Sequence, residues 1–107
     1  MSGFGEMGNL LKQAQEMQRQ IDRVRTDLRA RVVEGIAGGG VVRVRMSADR
    51  QEVSRVEIAP DVLRSGDMRL IEDLVQGAIQ DALRRARAAE EEAIGKVTGG
   101  MHLPGLF

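Results

Sequence analysis

The sequence predicts an α+β chain: a long helix, a three-stranded antiparallel sheet and a second long helix in succession, with the sheet region joining two copies into a homodimer. Three patterns carry this expectation. Apolar residues recur at alternating spacings of four and three from Leu10 to Leu28, alternate with period two across residues 41–58, and return at helical spacing from Met68 to Val97. The period-two stretch stands alone between the two helical patterns, so it forms the centre to which both helices attach.

Residues 1–8 hold Gly3, Gly5 and Gly8 with Phe4 and Met7 between them, which predicts a flexible lead-in. Asn9 is a suitable N-cap for the first helix, whose seam is Leu10, Ala14, Met17, Ile21, Val24 and Leu28. Arg31 breaks the seam, so the helix is expected from Asn9 to about Val33, about 25 residues and roughly 37 Å long. Val32 to Ala37 favours a short first strand, and Gly38-Gly39-Gly40 supplies a turn. A phosphate-binding loop is excluded there because no Gly-Lys-Ser/Thr follows and the next element is a strand.

In the second strand Val42, Val44 and Met46 fall on one face and Arg43 and Arg45 on the other. The third places Ser54, Val56 and Ile58 opposite Val53, Arg55 and Glu57, and the polar stretch from Ser47 to Gln51 predicts a hairpin between the two. Pro60 closes the sheet, Asp61 to Gly66 forms a connector, and Asp67 caps the second long helix. That helix bears an apolar stripe whose alanines allow a partner helix to approach closely, and Gly99 ends it as a C′ residue. Residues 98–107 form an apolar tail. Antiparallel packing of the helices would bring Asn9 near Val97 and gather Phe4, Met7, Met101, Leu103, Leu106 and Phe107 at one tip.

One domain over residues 1–107 suits this length, and with 2% aromatic residues its core must be built from Leu, Ile, Val, Met and Ala. So thin a core, spread along long helices, predicts dimerisation through the apolar sheet face of Val42, Val44, Met46, Val56 and Ile58. Lysine and arginine number 16, as do aspartate and glutamate, so any polyanion must be held by local patches rather than by net charge. Without cysteine, disulfides, thiolate metal sites and a cysteine nucleophile are excluded. His102 is the single histidine and lacks the partners of a zinc site or a catalytic relay, and no carboxylate pair suggests acid–base work; neither an enzyme nor a cofactor is expected. With no basic leader and no membrane-length apolar run, a cytoplasmic protein is expected.

Several separated segments resemble one family. FGEMGNLLKQAQEMQ from Phe4 to Gln18 and GGMHLPGLF from Gly99 to Phe107 look like the two end signatures of the YbaB/EbfC family of bacterial nucleoid-associated proteins. Gly38 to Val42, Ile58 to Pro60, and Leu70 to Ala86 are similar to its central pattern. The resemblance implies a tweezer-shaped homodimer that binds double-stranded DNA in the nucleoid, with no catalysis and no small-molecule substrate. Candidate DNA contacts are Lys12, Arg19 and Arg23 on the first helix's face away from the seam, with Arg25 and Arg29 at its flanks, and the cluster Arg84, Arg85 and Arg87. The same charges also read as a solvated face laced by pairs such as Glu16–Arg19, Asp22–Arg25 and Arg23–Asp27. A competing function is a protein-interaction or scaffold module that uses the helices and the apolar tail.

Overall fold

The computed structural model describes residues 2–99, with side chains from Gly5 onward. Helix α1 spans Ser2–Ala30, strand β1 Val32–Ala37, β2 Val42–Ser47 and β3 Val53–Ile58; a short helix α2, Pro60–Arg64, and the long α3, Met68–Thr98, complete the chain. A 3-10 turn at Gly38–Gly40 joins β1 to β2, and all three of its glycines have positive φ.

The helix boundaries differ from those expected at two places. α1 begins at Ser2, not Asn9. Glycines cost about 1 kcal/mol each in a helix, but extending an existing helix upstream needs no new nucleus, so residues 2–8 join it. At the other end α1 stops at Ala30, with the Arg31 amide donating to the Asp27 and Leu28 carbonyls at 3.0 and 3.2 Å. Val32 and Val33 instead pair with Ser47 and Met46 in the sheet. The connector after β3 coils into α2, with Pro60 in the first helical turn, where its missing N–H costs nothing. Asp67 caps α3 by accepting from the Leu70 amide at 3.0 Å, and Gly99, at φ 64°, closes it as expected.

The sheet is antiparallel in the order β1-β2-β3. Val44 stands opposite Gly35 on one side and Val56 on the other, and a bulge between Arg45 and Met46 brings Val53 opposite Met46. α3 lies across β1 and β2. Its small residues Ala78, Ala82 and Ala86 are fully buried, and a side chain at Gly35 would collide with the Ala78 carbonyl and the Ala82 backbone. The alanine stripe thus brings α3 down onto the chain's own sheet, and Leu28 of α1 joins the same core.

The same packing corrects the expected dimer face. Val42, Val44 and Met46 form a core with Val33, Leu28 and the α3 alanines, so one helix of the same chain already covers them. β3 is left bare, with Val56 50% exposed and Ile58 half-buried. Below the sheet α1 packs on the C-terminal half of α3 through Ile21 and Leu28 against Ile94 and its neighbours, while residues 5–16 of α1 are exposed. Met7 and Leu10 are therefore not packed against the end of α3; the expected terminal cluster otherwise lies outside the described residues. The molecule measures 76 × 21 × 16 Å with a radius of gyration of 20.1 Å, against about 13 Å for a globule of about 100 residues.

Candidate nucleic-acid interface

An α-helix turns about 100° per residue, so the seam of Met17, Ile21, Val24 and Leu28 puts Lys12, Arg19 and Arg23 together on the opposite, exposed face of α1. Arg19 pairs with Glu16 at 2.8 Å, both well exposed, an interaction weak enough to exchange for another anion. Lys12 and Arg23 have no carboxylate partner among the described residues. Asp22 is engaged by Gln18 at 3.0 Å, and its carbonyl accepts from the Thr26 hydroxyl at 3.1 Å. Arg25 and Arg29 sit on the flank of α1 that turns toward the β2–β3 loop, where they line a cleft with Arg50.

The dense basic cluster on α3 is divided by the fold. Asp81 accepts from the Ile36 amide of β1 at 2.9 Å and holds Arg84 and Arg85 at 3.1 and 3.0 Å. The Ile36 N–H foremost, then the Arg85 guanidinium, holds the Asp81 carboxyl below the usual range, so a charged Asp81 anchors both arginines at the β1 edge. Arg31 and Glu34 border the same depression as Arg85. Arg87, two residues beyond Arg85, stands across the helix from it and one turn beyond Arg84, with no carboxylate partner among the described residues.

On the sheet's outer face Glu34 of β1 pairs with Arg45 at 2.9 Å and Arg43 at 3.5 Å, and Arg55 pairs with Glu57 of its own strand at 2.7 Å. The Arg45 hydrogen bond is the main reason the Glu34 carboxyl lies below its ordinary value. Arg43 and Arg45 thus share one carboxylate across the β1–β2 pair, and Glu57 stands opposite Arg43 on β3. Sequence reasoning missed Arg50 and its meeting with Arg25 and Arg29 in one cleft, because nothing local shows that the hairpin turn reaches back to α1.

The chain is thus a long helix bearing a row of exposed cations, set on a small three-stranded sheet that a second long helix covers. The chain belongs to the YbaB/EbfC DNA-binding family, whose sequence profile matches residues 3–101. It is 39% identical over 107 residues to a nucleoid-associated protein of Alkaliphilus metalliredigens, covering all of this chain and 93% of that protein. A nucleoid-associated protein of Chloroflexus aurantiacus is 44% identical over 98 residues, 92% of this chain and 95% of its own. The fold is similar to the crystal structure of an uncharacterized protein from Helicobacter pylori, with a TM-score of 0.70 and 17% identity, over 92% of this chain and all of the other.

Proposed function

We propose that the chain acts as a homodimer in the nucleoid, holding double-stranded DNA chiefly by the outer face of α1. The observation that carries this reading is the row of Lys12, Arg19 and Arg23, exposed along a projecting helix with Lys12 and Arg23 unpaired among the described residues. The arginines of the sheet and of the β1 edge are held by Glu34, Glu57 and Asp81. They contribute less, because their carboxylate partners are less exposed than the Glu16 that Arg19 must leave. Zero net charge provides no long-range attraction, so non-specific dissociation constants of about 10⁻⁴ to 10⁻⁶ M at physiological salt are expected. Reversing Arg19 and Arg23 to Glu should weaken binding to unrelated duplexes alike and flatten its salt dependence, while reversing Arg43 and Arg45 does much less. Fluorescence anisotropy at two salt concentrations measures both effects, and the opposite ranking would move the DNA to the sheet.

A second reading is favoured by Met7, Leu10 and Leu11, which are 68%, 64% and 60% exposed on the outer half of α1. A protein partner docked on this apolar stretch would bind with little salt dependence, which separates it from phosphate contact.

A further inference from the structure

At the root of the arm, α1, the β2–β3 turn and α3 enclose a cleft of about 530 Å³ into which Arg25, Arg29, Arg50, Asp49 and Glu90 converge. The turn that presents Arg50 is built with care. The Ser47 hydroxyl donates to the Asp49 carboxylate at 2.6 Å and accepts from the Gln51 and Glu52 amides at 3.2 and 3.1 Å. Arg50 itself stands at φ 64°, the one non-glycine residue with positive φ among the described residues. A bulky side chain pays conformational energy to stand there, and such outliers collect at functional sites.

Arg50 is also under-coordinated. Its Nη2 reaches Glu90 at 3.3 Å, and its Nη1 is buried with no acceptor among the described residues. A buried charged donor without a partner is costly and uncommon in folded proteins. The Asp49 carboxylate does not supply the missing acceptor: besides the Ser47 hydroxyl it takes the Gln51 amide at 3.1 Å and a long 3.4 Å contact from Arg29, which remains 77% exposed. Arg29 thus stands at the mouth of the cleft with its other donors toward solvent.

We propose that this cleft is an oxyanion site that takes one phosphate of the DNA backbone, with Arg50 as its anchor and Arg25 and Arg29 at its entrance. A phosphodiester oxygen supplies the acceptor that the Arg50 guanidinium lacks, reached by a rotation of the side chain away from Glu90. Guanidinium suits this role because its planar fork pairs two donors with two phosphate oxygens. On the surface of α1, Arg29 lies between the cleft and the outer row of Arg19 and Arg23, so one backbone can touch both. The source of the phosphate rests on the DNA-binding reading; the oxyanion site does not.

The test uses Arg50→Gln and Glu90→Gln in the full chain, each confirmed folded by circular dichroism, because both abolish the same ion pair but change the cleft's charge in opposite senses. Arg50→Gln should weaken duplex binding about tenfold and lower the salt slope by about one, and Glu90→Gln should strengthen binding a few-fold. Inorganic phosphate titrated into the wild type should shift the Gln51 and Glu52 amide resonances, and Arg50→Gln should abolish the shifts. Changes of the same sign in both variants would make the ion pair merely structural and overturn the proposal, as would unshifted amides. If phosphate shifts the amides but DNA affinity ignores Arg50→Gln while Arg19→Glu weakens it, the cleft serves a free phosphate and the DNA assignment falls. Arg50→Lys, which keeps the charge without the fork, should lie between wild type and Arg50→Gln.

Discussion

Asp81 sits on α3 with its carboxylate shared between the Ile36 amide of β1 and the guanidiniums of Arg84 and Arg85. The Arg84 and Arg85 pairs are legible from spacings of three and four, but the bond to an amide 45 positions away is not. Its carboxyl is held below the ordinary 3.8 in the folded chain, so its contribution to stability is full well above that value and is lost as pH falls through and below it. Asp81→Asn keeps an oxygen for the Ile36 amide but does not titrate. Its unfolding free energy should therefore fall less than that of the wild type between about pH 5 and pH 3, as read from urea melts. An unchanged dependence would show that Glu34 and Asp49, also held low, carry the acid sensitivity instead.

At the scale of elements, the contact between α3 and the β1–β2 pair decides where the core lies. Gly35 and the fully buried Ala78 and Ala82 let helix and sheet approach to backbone contact, and Val42 and Val44 close the space alongside. Gly35→Ala pushes a methyl group into the Ala78 carbonyl and the Ala82 backbone, atoms that cannot rotate away. We expect it to cost on the order of 3 kcal/mol, at or beyond the upper end for overpacking, and to lower the urea midpoint accordingly. A neutral substitution there would mean that α3 can lift off the sheet freely. The sequence announced both elements by their periods, yet a glycine inside a strand does not name the helix residues that will cover it.

For the whole molecule, the open question is what covers β3. Asp81 and Arg85 mark the side of α3 at the β1 edge, so Val75, Ile79 and Leu83 lie on the flank toward β3, where Val56 is half exposed. A second copy laid along this flank would bury Val56 and Ile79 and shield the bare strand edge. Val56→Asp with Ile79→Asp should give a folded monomer in sedimentation at micromolar concentration, whereas Val44→Asp should unfold the chain, since Val44 has no exposed surface. A wild-type chain that sediments as a stable monomer would sink the dimer, and dimerisation untouched by the double change would place the contact elsewhere.

The sequence by itself determined the order of the two long helices and three strands, the apolar face of β2, the caps at Asp67 and Gly99, and the exposed cation row of α1, because each depends on residues within a turn or two of one another. Tertiary structure alone decided the rest. It turned the apolar face of β2 inward under the chain's own α3, tied Asp81, and with it Arg84 and Arg85, to the Ile36 amide of β1, and brought Arg25, Arg29 and Arg50 to one cleft. The reason is physical: periodicity says which face of an element is apolar, but which neighbour buries that face depends on the depth of approach that small residues such as Gly35 and Ala82 permit.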